Sequence, residues 1–340
     1  MTDHTKAWER FDDWIKKVIE LRGTDLHLVP GYKPMARVDG ELQPIDDFVL
    51  NAEQTHWVGI SLFGNSVLHD LGYQGHMQKT RTYGETVGDI TLATAGGEKT
   101  VVVRLHGGKI PTLEEVGLPE RVTELLSPTA GILLVAGPHN SGKTTTLYAL
   151  VDWINRNSNV KICTVERPRW HLFQPAKALV QQHEVGLDGQ TPAAVITSAL
   201  RQAPNVLMLG EIEDFESLGA ALGAAETGHL VIVQVHAGDA ADAIQRIIEA
   251  APESLHAQVK RQLAETIRGV TVQRLARHKD GRRRTAVYDI IGEGARKFID
   301  GGKPDAGFYI SRAQDGIKQL EDAGSISTEE AERLRREVGA

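Results

Sequence analysis

Cysteine is almost absent: Cys163 stands alone among 340 residues. A single thiol excludes an internal disulfide framework and a cysteine-built zinc module, and it fits a reducing cytoplasm. Long apolar runs are missing too. No stretch reaches the roughly 20 residues that span a bilayer. The first residues, Met1-Thr2-Asp3-His4, lack the basic and apolar regions of a signal peptide. The expectation is a cytoplasmic protein that meets a membrane only through partners. Basic excess is lacking as well. The net charge of -7 argues against sequence-independent nucleic-acid binding, which needs a broad positive surface.

What is present is enough apolar material, 41% of residues, for folded domains. A length of 340 residues is long for one core and points to two. Residues 8–22 place Trp8, Phe11, Ile15, Val18 and Ile19 at helical spacing, ending near Gly23. Asp39-Gly40 sits between short apolar-containing segments and reads as a hairpin turn. Residues 51–72 read as helix and 80–106 as short strands with loose turns. Residues 1–107 thus form a small α+β domain. Gly107 to Thr112 opens a linker, residues 108–118.

Beyond it the pattern changes. Ile132–Ala136, Val160–Val165, Val206–Leu209 and Leu230–Val235 are continuously apolar, as strands covered on both faces are. Helical patterns lie between them, so residues 119–292 read as an α/β domain with a mostly parallel sheet. Asp280-Gly281 marks a second hairpin. Residues 293–340 read as a helical tail, with Ser327-Thr328-Glu329-Glu330 as a capping box before its last helix.

Gly137-Pro138-His139-Asn140-Ser141-Gly142-Lys143-Thr144 fits the phosphate-loop pattern of Gly, four residues, then Gly-Lys-Thr. A buried strand precedes it. A helix follows, with Leu147, Leu150, Val151 and Ile154 on one face. Glycines let successive N–H groups turn toward phosphate oxygens. Lys143 would reach the β- and γ-phosphates of ATP, and the Thr144 hydroxyl would bind Mg²⁺. Asn140 suits a positive φ inside the loop. His139 belongs to the loop without a role of its own.

Two apolar strands end in acids, Glu211 and Glu166, at the edge where α/β sheets bind ligands. Glu211 could orient water or hold Mg²⁺ through water. Glu166 could serve as a general base, or equally be an acid that merely begins a loop. His229 and His236 bracket the strand Leu230–Val235. His236 lies at the ligand end and is favoured as a γ-phosphate sensor, while His229 is read as structural. The basic stretch Arg274, Arg277, His278, Lys279, Arg282, Arg283 and Arg284 reads as a solvated hairpin tip. The sharper alternative is a patch for acidic headgroups or an acidic partner.

In this order the motifs resemble the type II/type IV secretion ATPase superfamily, and within it the pilus retraction, or PilT-type, ATPases. Gly137 to Thr145 is similar to the family's Walker A segment, and Glu166 to the leading acid of its Asp box. Ala199-Leu200-Arg201-Gln202 with Gly210-Glu211-Ile212 is similar to its Walker B block. Ala224 to Val231 with His236 is similar to its His box, and Gln273-Arg274-Leu275 to a later block. Gly294 to Lys303 partly matches the C-terminal motif of the retraction type.

The resemblance implies a PAS-like N-terminal domain joined to a RecA-like ATPase domain, assembled as a homo-hexamer. It also implies ATP turnover driving domain rotation against an inner-membrane platform protein. An N-terminal arginine reaching a neighbour's phosphates is a further implication, with Arg104 as the candidate and Arg81 as a weaker one. The chain departs from the family at Arg167, Trp170, Glu213 and Ala237, where an acid, an acid, an arginine and a threonine are usual. Those departures motivate an alternative, a nucleotide-binding structural or regulatory subunit with little hydrolysis. A DNA-translocating ATPase has only the basic hairpin in its favour.

Overall fold

A computed structural model describes residues 5–38, 40–64, 75–127, 129–186, 188–189, 191–212, 214–281, 283–302 and 305–339. The first four residues, Asp39, Glu213, Arg282, Lys303 and the end of the helix expected over 51–72 lie outside them. The chain divides into two compact units, residues 1–109 with 168–172, and residues 110–167 with 173–340.

In the first unit, α1 (Lys6–Glu20) buries Ala7, Phe11, Trp14, Ile15 and Val18 along one stripe. The Gly23 N–H closes its end on the Val18 carbonyl at 2.8 Å. Strands β1 (Asp25–Leu28), β2 (Met35–Val38) and β3 (Glu41–Pro44) follow, then α2 (Ala52–Phe63). Val38 pairs with Glu41 across a tight turn in which Gly40 has φ 90°. Asn51 and Gln54 form a full capping box at the start of α2.

Strands β4 (His76–Tyr83), β5 (Thr86–Ala95) and β6 (Glu98–Gly107) complete a six-stranded sheet in the order β3-β2-β1-β6-β5-β4. These last three correct the expectation of short strands with loose turns. They are long, and Ala95 pairs with Glu98 around Gly96-Gly97, both at positive φ. That is the backbone a two-residue hairpin needs, and glycine supplies it without strain. Leu26, Leu28, Ile90, Leu92, Val101 and Val103 join the α1 stripe and α2 in one core.

The second unit opens its sheet with β7 (Gly131–Gly137), followed by α3 (Lys143–Asn157), β8 (Lys161–Glu166), β9 (Leu179–Glu184) and α4 (Pro192–Leu200). Then come β10 (Val206–Glu211), α5 (Phe215–Glu226), β11 (Leu230–His236), α6 (Ala240–Glu249), α7 (His256–Thr266), β12 (Ile267–Arg277) and β13 (Arg284–Ile291). The tail holds β14 (Tyr309–Ser311), α8 (Ala313–Asp322) and α9 (Thr328–Val338). The eight strands lie in the order β14-β13-β12-β7-β11-β10-β8-β9. From β12 to β9 every pairing is parallel, whereas β13 and β14 run antiparallel at the edge.

Ile132, Leu134, Cys163, Leu207, Val231 and Val233 are buried in the core that this sheet shares with its helices. The tail is therefore not wholly helical. A 3₁₀ turn (Glu293–Phe298) and β14 precede α8 and α9. A three-residue strand is too short to show a period of two, so the sequence could not announce it.

Candidate nucleotide site

The phosphate loop leaves β7 through backbone that few residues tolerate. Gly137, Asn140 and Gly142 have φ of 152°, 58° and 87°. Asn140 takes the left-handed conformation expected of it. A Cβ on Gly137 would lie 2.6 Å from both the Gln273 carbonyl oxygen and Ser141 Oγ, so glycine is required by space as well as by conformation. Gly142 caps α3, and the free N–H groups of that first turn follow directly.

Parallel register does the next part. β11 lies beside β7 with His236 opposite Gly137. β10 lies on the far side of β11 and ends in Glu211. Three side chains named from sequence thereby meet. His236 Nε2 is 2.9 Å from Glu211 Oε2. His236 Nδ1 is 3.1 Å from Lys143 Nζ, and Lys143 also donates to the Pro138 carbonyl at 2.7 Å. The His139 ring lies against His236 at a centroid distance of 3.8 Å, a contact the motif did not suggest.

Burial pulls the Lys143 ammonium down to about 8, with Glu211 opposing. Burial and then Lys143 hold His236 below its ordinary value, Glu211 again opposing. The Lys143 ammonium thus lies among groups that can release it to a polyanion. Thr144 Oγ1 donates to Gln234 Oε1 at 3.0 Å. A hydroxyl and a nearby carboxylate at the loop are oxygen donors of the kind a hard divalent cation takes, so the residues fit Mg²⁺.

Glu166 ends β8 beside Leu209-Gly210, but it is 4% exposed. Its carboxylate accepts from the Tyr148 hydroxyl, from Thr164 Oγ1 at 2.7 Å and from Gln182 Nε2 at 3.4 Å. His229 lies at the other end of β11, its Nδ1 3.0 Å from the Ala224 carbonyl at the close of α5. In the first unit, Arg104 Nε holds Asp25 at 3.0 Å while the Arg104 side chain stays 61% exposed. Arg81 is instead caged by Asp12 and the Trp8 and Tyr83 rings. Trp170 packs edge-on against His106 at 4.0 Å, within that same unit.

Of the basic stretch, Arg277, Lys279, Arg283 and Arg284 are exposed, as on a solvated hairpin tip. Arg274 is buried, Arg283 pairs with Asp280 at 2.7 Å, and Glu330 of α9 accepts the Arg277 N–H. Sequence reasoning passed over Gln234 and Tyr148, and named Gln273 only as part of a motif block. Gln273 Nε2 ties β12 to the Ser141 carbonyl at 2.7 Å. A signal existed at Gln234, which interrupts the otherwise apolar run Leu230–Val235, where a polar side chain needs a partner.

The family model described as type II/IV secretion system protein matches residues 88–322. The chain is 31% identical over 283 residues to the type IV pilus ATPase PilU of Pseudomonas aeruginosa, covering 83% of this chain and 74% of that one. It is 32% identical over 280 residues to the type IV pilus retraction ATPase PilT of the same organism, covering 79% and 78%. The crystal structure of the pilus retraction motor PilT with bound ADP superposes with a TM-score of 0.84 at 30% identity, over 94% of this chain and 95% of that one. With the phosphate loop, the two acids and His236 in the places described, the chain belongs to the type II/IV secretion ATPases, as a PilT-type member.

Proposed function

We propose that this chain hydrolyses ATP as a subunit of a hexameric motor, serving pilus retraction or a related pilus-like or conjugative machine at the cytoplasmic face of an inner membrane. The observation that carries the reading is the contact chain Glu211–His236–Lys143 at the mouth of the phosphate loop. The N–H groups of residues 137–145, Pro138 excepted, cradle the phosphates. Lys143 exchanges Pro138 and His236 for the β- and γ-phosphates, and His236 is then free to contact the γ-phosphate. Glu211 orients and deprotonates the attacking water. Thr144, now bonded to Gln234, would hold Mg²⁺, which would neutralise charge on the phosphates. Glu166, already bonded to Tyr148 and Thr164, supports the site from beneath. Arg104 would complete a neighbouring subunit's site, and a membrane platform protein would take up the motion.

The test is phosphate release from Mg²⁺-ATP, with light scattering on the same samples, for the wild type, Lys143→Ala and Glu211→Gln. Turnover is expected to fall about 100-fold or more in Glu211→Gln. An unchanged rate there sinks the assigned mechanism. Arg167 and Trp170, where the family has acids, favour a second reading, a nucleotide-bound structural subunit. Tight ATP binding by an assembled wild-type ring without phosphate release would establish that one instead.

A further inference from the structure

Arg274 is the buried cation that this mechanism leaves unused. It lies on β12, whose Val272 pairs with Ala136 of the phosphate-loop strand, and its side chain is 8% exposed. Its Nη2 donates to the Gly238 carbonyl. Its Nε makes no hydrogen bond but faces Glu337 Oε2 of α9 at 3.5 Å. Gly238 is two residues past His236, in the turn between β11 and α6. Gly238 is held on both of its polar groups: the N–H donates to Asp242 Oδ2 at 2.7 Å, and the carbonyl accepts from Arg274. Glycine has no side chain with which to anchor itself, so the guanidinium fixes the turn.

Beside it a cavity of about 320 Å³ is lined by Asp239, Asp289, Phe298, Tyr309 and Arg312, and by the end of α9. Packing therefore leaves the turn room to move if the guanidinium is lost. Glu337 is itself shared, since it also accepts from Arg333, which in turn donates to the Leu275 carbonyl at 3.2 Å. A short path of hydrogen bonds and ion pairs thus joins α9 to the backbone that carries His236.

We infer that Arg274 is a positioning residue for His236, and that Glu337 lets the α8–α9 pair adjust that position. Neither side chain belongs to the Glu211–His236–Lys143 contact chain. The inference rests on the hydrolytic reading above for its kinetic arm only. Small backbone shifts at a catalytic group cost up to about 100-fold in rate, so the effect of losing Arg274 is measurable.

Two readouts test it on the full chain, with Arg274→Met, Arg274→Lys and Glu337→Gln. The first is the His236 ring signal in ¹³C-histidine NMR of the nucleotide-free protein, assigned with His236→Ala. It is expected to move in Arg274→Met and Glu337→Gln and to return partway in Arg274→Lys, while the His229 signal at the opposite end of β11 stays. This arm needs no turnover, and Glu337 is exposed enough that its variant leaves folding intact. An unmoved His236 signal, or an equal movement of both signals, overturns the inference. The second is kcat. A loss of about tenfold in Arg274→Met, with ADP affinity kept and no further loss when added to His236→Ala, supports it. Losses that multiply overturn it. A wild type without turnover would defeat the hydrolytic reading and leave the NMR arm to decide this one.

Discussion

His106 shows how one side chain makes the fold depend on pH. Burial, then Arg104 and His171, pull its imidazole down to about 4. Between that value and its ordinary 6.5 the unfolded chain binds a proton that the folded chain does not. Unfolding free energy therefore rises with pH through that window, and stability is lost as pH falls from about 6.5 toward 4. His27 and His171 are shifted the same way, each mainly by burial. Discounted for solvent screening, the share of His106 is about 1–2 kcal/mol. Urea unfolding at pH 7.5 and pH 5 should show His106→Gln losing less stability than the wild type on acidification. An identical loss would place the proton elsewhere. Asp25 is set the opposite way: burial pushes it up, but the Thr24 hydroxyl and Arg104 outweigh that and hold its carboxyl below the usual range.

At the scale of elements, several helices are fixed at their first turns by side-chain caps. Asp214 Oδ1 accepts the Ser217 N–H at 2.7 Å and Asp239 Oδ1 accepts the Asp242 N–H at 2.8 Å. Asp214→Ala should cost about 1 kcal/mol, read as a lower unfolding midpoint at unchanged m-value, because an N-terminal donor of α5 loses its acceptor. Ser327 caps α9 as its sequence pattern announces, accepting the Glu330 N–H at 3.2 Å. The reciprocal half of that box is redirected: Glu330 bonds Arg333 and the Arg277 N–H. Phe11→Ala in α1 should cost about 3–5 kcal/mol, because a ring with no exposed surface leaves a cavity against β1 and α2. Thermal melting of the two variants should rank them in that order.

At the scale of the whole molecule, the proposal makes turnover a property of the assembly. The Arg104 side chain stays 61% exposed while its Nε holds Asp25, so it is open to another chain, whereas Arg81 is held by Asp12 and two rings. Phosphate release per subunit should therefore rise with protein concentration. Arg104→Ala should lower kcat about tenfold or more at saturating ATP with ADP affinity kept, while Arg81→Ala should lower the melting temperature instead. Turnover per subunit that is independent of concentration, and untouched by Arg104→Ala, would assign the site to one chain alone. No helix among the described residues is long and apolar enough to cross a membrane.

The sequence by itself determined the elements whose cause is local. The phosphate loop was legible because its glycines and Asn140 answer to backbone conformation, and the sheet strands because burial on both faces leaves continuous apolar runs. The order of motifs was enough to place Lys143, Glu211 and His236 together. Tertiary structure alone decided what those side chains touch. Strand order β7-β11-β10 brings residues some 93 positions apart within hydrogen-bonding reach, as at Lys143 and His236. It turned Arg274 inward from an apparent basic tip, closed Glu166 over Tyr148, and placed Pro168–Leu172 with the first unit rather than the second. Periodicity reports which face of an element is buried. Which partner lies across that face depends on pairing between distant segments, and no local pattern encodes it.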